Sequence, residues 1–217
     1  MPSSKQALRD GVGARTVGGV ARPARIEVPF GYYHLATRGN SKQPIVHDDG
    51  QRRLFFAHLD RIRRRFDWTI VAYCLMSNHY HFVLQISDRG LSHGMCELNG
   101  GFAHAINAAL GRCDHLFGKR FWSRTHDDDG DVLTACRYVD RNPCSAGICG
   151  HPGRFLWSGY RAAVGRALPE RFHAVTELHH LLGAATPARG AAAYAEFVRA
   201  ANDGTDARTA LVPSAAI

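Results

Sequence analysis

The stretch WTIVAYCLMSNHYHFVLQI, residues Trp68 to Ile86, holds two apolar runs separated by Ser77-Asn78. It reads as an antiparallel hairpin of buried strands. Side chains alternate along a strand, so His79, His81 and Val83 share one face while Tyr80, Phe82 and Leu84 share the other. The bulky apolar set belongs against covering helices. Two imidazoles then project from the open side, about 6–7 Å apart at their Cα atoms by strand rise. That is half a metal site, and a third ligand must come from elsewhere. Two polar side chains on a solvated face are the lesser alternative for the pair.

Working outward, YYHLATRG (32–39) is a β-leaning segment that closes on the turn signal Gly39-Asn40. From Asp49 to Phe66, Leu54, Phe55, His58, Leu59 and Ile62 recur at helical spacing, with arginines on the other face. Downstream, Leu91 to Leu110 has the same period, with a soft point expected at Gly100-Gly101. LFGKRFWSRTH (116–126) reads as a fourth strand and its approach loop, and Asp127 to Asp129 can cap the next helix. Val132 to Arg141 reads as that short helix, stopped by Pro143 because the residue before a proline is pushed out of the α region.

The order β, α, β, β, α, β predicts an α+β, ferredoxin-like fold, with an antiparallel sheet, both crossover helices on one face and the other face left for a site, over which the helix carrying Tyr138 is expected to lie. Beyond it, a helix is expected in LPERFHAVTELHHLLG, with Pro169 in its first turn and Gly183 as its stop. An Ala-rich helix comes next, through Tyr194, Phe197 and Val198. The division expected is a flexible basic arm at 1–21, a main domain at 22–160, a helical extension at 161–200 and a disordered tail at 201–217.

The 217 residues suffice for one main core. With 27 Lys+Arg against 19 Asp+Glu, the chain carries a formal +8, which leans toward a polyanionic partner. The six cysteines show no CxxC pair and read as reduced thiols rather than a disulfide frame or zinc site. There is no signal-peptide core and no run of membrane-spanning length, so a cytoplasmic protein is expected.

The segment CRYVDRNPC supplies candidates for the missing ligand. Tyr138 and Asn142 stand at i and i+4, hence on one helix face, bringing a phenol and an amide oxygen that a hard cation accepts. A core aromatic and a simple helix stop would look the same. Together, YYHLATRGNSKQPIVHDD, AYCLMSNHYHFVLQ, LSHGMCELNGGFAHAIN, HLFGKRFWS and RYVDRNPCSAG, in this order, resemble the IS200-like transposases that carry an HUH pair and a single tyrosine. The branch associated with repetitive extragenic palindromes is the nearest. The resemblance covers about Arg22 to Tyr160, and FHAVTELHHLL with AAAYAEFVRA resembles the C-terminal extension often seen there. Ser77 stands where the family usually has proline, and CSAGI replaces a more basic continuation.

The resemblance implies that His79 and His81 are metal ligands with Asn142, that Tyr138 is the nucleophile, and that Mg2+ or Mn2+ is the cofactor. It further implies single-stranded DNA bearing a hairpin as partner, cut and rejoined through a 5′-phosphotyrosine. Arg38, Asn40, Lys119, Arg120, Arg124 and Arg137 are the expected DNA contacts. Phe121 and Trp122 interleave rings with these charges, which suits stacking on bases or simply a core strand. The arginines at 61–65 read as a solvated face or a hairpin clamp. A monomer is expected, with a homodimer as the alternative. Two rival readings keep the same residues: a non-catalytic binder of repeat hairpins, and a metal-dependent nuclease with no covalent step.

Overall fold

Residues 27–200 are described by the computed structural model. The arm expected at 1–21 and the tail expected at 201–217 lie outside them. Four strands, β1 (Tyr32–Arg38), β2 (Thr69–Leu75), β3 (His79–Gln85) and β4 (Trp122–His126), form one sheet in the order β2-β3-β1-β4. Every pairing is antiparallel. Helices α1 (Asp49–Arg65) and α2 (Leu91–Leu110) fill the crossovers, which completes the ferredoxin-like arrangement. Asp48 caps α1 by accepting from the Gln51 N–H, as an N-terminal aspartate should.

Alternation decides which face each helix covers. Tyr80, Phe82 and Leu84 enter a core with Phe55 and Leu59 of α1 and Met95, Leu98 and Phe102 of α2. Tyr80 packs within 4.9 Å of Phe55 and donates its hydroxyl to Asn99, so its polar end is satisfied inside. Helix α2 runs unbroken through Gly100-Gly101, where the glycine pair predicts a soft point, because one side of it is fixed to this core. At Gly94 the helix meets the Trp68 indole so closely that a Cβ would overlap the ring. Gly94→Ala is therefore expected to cost about 1–3 kcal/mol in a denaturant melt, through overpacking that outweighs the gain in helix propensity.

The opposite face carries α3 (Asp129–Ser145), the tyrosine helix, as expected, with α4 (Tyr160–Ala163), α5 (Val175–Leu181) and α6 (Pro187–Arg199) building a second core around Val83, Cys74, Val132, Cys136, Val139, Tyr194 and Val198. Asp128 caps α3 through the Asp131 N–H. The helix does not stop at Pro143 but passes through it to Ser145. A proline's fixed φ is itself helical, so it removes one hydrogen bond without forcing an end; the stop comes at Gly147, at φ 71°.

The extension also departs from expectation at its start, since α5 begins at Val175 rather than near Pro169. Residues before it dock on the edge of β2 instead, where His173 bridges to Ile70 and the Ala174 N–H donates to the Ile70 carbonyl (2.8 Å). Gly183, at φ 67°, ends the helical segment as expected.

His173 is 6% exposed, with Nε2 3.1 Å from the Val71 carbonyl and Nδ1 buried without a partner among the described residues. Burial pulls its pKa down to about 4 from an ordinary 6.5. Between those values the unfolded chain binds a proton that the folded chain refuses, so this contribution to stability is lost as pH falls from 6.5 toward 4. His173→Gln is expected to flatten the pH dependence of unfolding in that window by up to about 1.4 kcal/mol per pH unit. Denaturant melts at pH 6 and pH 4.5 measure it.

Candidate active site

The site grows from three small-scale decisions. The β1–β3 register sets Arg38 across from His79 and Ala36 across from His81, and the β1–β4 register sets Trp122 across from Ala36. Directly opposed residues share a face, so His34, Arg38, His79, His81 and Trp122 line one surface. Helix α3 then lays Tyr138 and Asn142 over it.

Asn142 Oδ1 lies 3.0 Å from His79 Nε2, and Asn142 Nδ2 lies 3.3 Å from His81 Nε2. The half-buried Tyr138 ring stands edge-on to His34 and His81, at centroid distances of 5.5 and 5.6 Å. Burial raises the Tyr138 pKa, and a hydrogen bond from Asn142 opposes the rise. The imidazoles are buried, with His79 7% and His81 0% exposed, rather than projecting from an open surface. Burial pulls His79 down to about 4 despite the Asn142 contact, and pulls His81 well below its ordinary value, helped by His34, His79 and Arg38. Both rings are therefore neutral at pH 7, the form that can donate a lone pair.

Two residues missed in the sequence set the tautomers. Asn78 donates Nδ2 to the Lys42 carbonyl (3.1 Å), which turns its Oδ1 onto His79 Nδ1 at 2.7 Å. A neutral His79 must then carry its proton on Nδ1, leaving a bare Nε2 that faces the Asn142 oxygen. His81, accepting at Nε2 from the Asn142 amide, carries its proton on Nδ1 and donates it to His34 Nε2 (3.1 Å). With the amide in this orientation, two lone pairs face each other across 3.0 Å, the arrangement that a cation between them relieves.

The donor set fits a hard divalent ion: cis ligands of an octahedral ion at about 2.1 Å are themselves about 3 Å apart. Among the described residues, no group of three His, Cys, Asp or Glu side chains is placed to hold a metal, so the amide is the third protein donor available. His34, inside the strand YYHLATRG, is distinguished only by its register against His81. Its own pKa is pulled to about 3 by burial, then by His126 and Arg124, which keeps it an acceptor.

The remaining expected DNA contacts scatter. Arg38 borders the imidazoles, with its Nε buried and unpartnered among the described residues. Asn40 is exposed, packed beside Gly118. Lys119 and Arg120 line a cavity of about 560 Å3 with Met95, Phe117 and Phe121, on the α2 side. Arg124 is half-exposed, 4.0 Å from Asp131. Phe121 is core, whereas Trp122 sits edge-on to His34 at 5.2 Å. Arg137 is buried with its guanidinium 4.4 Å from the Phe197 ring, so α6 rather than an open surface receives it. In α1, Arg63 and Arg64 pair with Asp60 and Arg65 with Glu97, on the face away from the imidazoles.

Helix α6 also grips α3 at two further points. Tyr194 donates to Asp140 Oδ2 (2.7 Å), and Arg141 donates to the Val198 carbonyl (3.3 Å).

Residues 28–142 match a protein-family model described as IS200-like transposase. Among solved structures, the chain is similar to a REP-associated tyrosine transposase bound to a REP hairpin, at 17% identity and a TM-score of 0.59, over 68% of this chain and 87% of that one. It is also similar to a putative transposase from Deinococcus radiodurans, at 17% identity and a TM-score of 0.37, over 50% of this chain and 88% of that one. No curated protein matches the chain.

Proposed function

The chain belongs to the IS200-like transposase family, and from that premise we propose that it cuts and rejoins single-stranded DNA beside a hairpin, using Tyr138 as nucleophile. The observation that carries this reading is the convergence of Tyr138, Asn142, His79 and His81 at one point, with Arg38 beside them. The fold shared with a transposase solved on a REP hairpin supports a hairpin as the DNA.

His79, His81 and Asn142 would hold Mg2+ or Mn2+. When bound, such an ion polarises a non-bridging phosphate oxygen and offsets charge in an in-line displacement. The chain's own residues do the rest. Arg38 draws the scissile phosphate toward the imidazole face. Tyr138 is held by the ring contacts with His34 and His81 so that its oxygen meets phosphorus; the O–P bond forms as the P–O3′ bond breaks. The phenol gives up its proton and the departing 3′ oxygen gains one. Asn142, donating to the phenol oxygen, favours the ionised form that burial disfavours.

Because the phosphodiester is conserved in the tyrosyl link, a different 3′ hydroxyl can reverse the step without a nucleotide cofactor. The three ties from α6 hold Tyr138 over its own chain's histidines, which supports a tyrosine acting in cis within a monomer. The test is a labelled hairpin oligonucleotide incubated with protein and Mg2+ or Mn2+, then denatured. A covalent protein–DNA adduct with a free 3′ hydroxyl on the released strand is expected. Binding with no cleavage would instead favour the non-catalytic reading.

A further inference from the structure

Cys144 stands in the last turn of α3, the helix that carries Tyr138, and Cys149 follows in the turn beyond it. Their Sγ atoms are 3.6 Å apart. The backbone sets this meeting. The Gly147 N–H donates to the Cys144 carbonyl (2.9 Å) and the Ile148 N–H to the Pro143 carbonyl (2.9 Å), the two bonds of a Schellman termination. The chain is thereby folded back onto the helix, and Cys149 onto Cys144.

All six cysteines lie within the described residues, and this is the pair whose sulfurs are in contact. Cys74 and Cys136 are buried, where a thiol is inert. Cys96 and Cys113 are exposed but take no part in it. Two thiols can also sit together simply as small apolar groups. That account suits a buried pair, whereas Cys144 and Cys149 are half-exposed, with Ser145, Ala146, Gly147, Ile148 and Gly150 exposed around them. A dissolved reagent can therefore reach them.

Burial, then the hydrogen bond and charge of Cys149, push the Cys144 thiol up to about 11. Cys144 thus keeps its proton and offers it to the neighbouring sulfur, which leaves Cys149 to attack first and Cys144 to resolve. A sulfur–sulfur bond of about 2.05 Å asks the two atoms to approach by about 1.5 Å, within reach of side-chain rotation.

We propose that Cys144 and Cys149 form a reversible oxidation site, closed to a disulfide by a low-molecular-weight disulfide such as oxidised glutathione. Cys149, as thiolate, attacks one sulfur of the reagent, forming a mixed disulfide and releasing one reduced thiol. Cys144 then attacks the Cys149 sulfur, and its proton leaves with the second reduced thiol. The two protein thiols lose two electrons, and the reagent's disulfide gains them. The new bond ties the end of the tyrosine helix to the turn after it, two residues beyond Asn142. Its formation needs none of the DNA chemistry above.

The test equilibrates full-length protein with oxidised glutathione, quenches in acid and maps the peptides by mass spectrometry. The parent peptide holding both cysteines is expected to lose two hydrogens and to retain no glutathione. Cys144→Ser, which lacks the resolving sulfur, is expected to trap one glutathione on Cys149. Oxidised parent should melt on the order of 5 °C above reduced parent, since the bond closes a short loop, and a reductant should return both mass and midpoint. Should the serine variant fail to fold, the parent's own map and melts carry the comparison. A parent that keeps glutathione on either sulfur, or whose pair stays reduced while Cys96 and Cys113 are modified, overturns the proposal.

Discussion

Tyr138→Phe is expected to abolish the covalent protein–DNA adduct and to lower strand cleavage by on the order of 10³-fold or more, while hairpin affinity stays within a few-fold of the parent. Removing one oxygen deletes the atom that would bond to phosphorus, and no neighbour can replace it. His34, His81 and Asn142, which contact the phenol, are committed to one another. Loss of a group that acts only in the transition state falls on the chemical step rather than on binding. The half-buried ring itself is kept, so the fold should lose no more than about 1 kcal/mol with the Asn142 hydrogen bond. Electrophoresis of labelled hairpin DNA under denaturing conditions decides the matter. Cutting that survives without an adduct would replace the phosphotyrosine route with hydrolysis.

His79→Ala is expected to remove Mn2+ binding, read by electron paramagnetic resonance of free Mn2+, and to reduce adduct formation at least about a hundredfold. The imidazole supplies one of the two ring nitrogens that converge on Asn142, and the remaining donors cannot close a three-ligand set. Asn78→Ala should show the same defect more weakly, about 10–100-fold, because it leaves the ligand but frees its tautomer. Full Mn2+ affinity in His79→Ala would refute the metal site. Full affinity in Asn78→Ala would refute only the tautomer argument.

Much of this could be read from residues. The hairpin from Trp68 to Ile86 shows which side of β3 faces the helices, because alternation is local and the two sets differ so sharply in bulk. The i, i+4 relation of Tyr138 and Asn142 likewise needs only helical geometry. What escapes such reading is whatever depends on register or on distant partners. Nothing near His34 announces that it will stand beside His81, since the β1–β3 pairing is fixed by the whole sheet. Asn78 reads as a turn residue, which it also is. Arg137 reads as a DNA contact because charge on a helix face looks solvent-bound until α6, sixty residues later, brings Phe197 against it. Pro143 reads as a stop because the local rule is strong, and tertiary packing of α3 on the sheet overrides it. The docking of Phe172 and His173 against β2 leaves no helical start for Pro169 to mark.

The grip of α6 on α3 has a bearing on how the protein comes into being. Asp140 and Tyr194 are 54 residues apart, so the helix bearing the phenol emerges from the ribosome well before the element that steadies it. A nascent chain that has not yet made α6 would still lack the contacts that hold Tyr138 over the imidazoles. Under the proposed function, strand breakage would thereby wait until α6 has been synthesised.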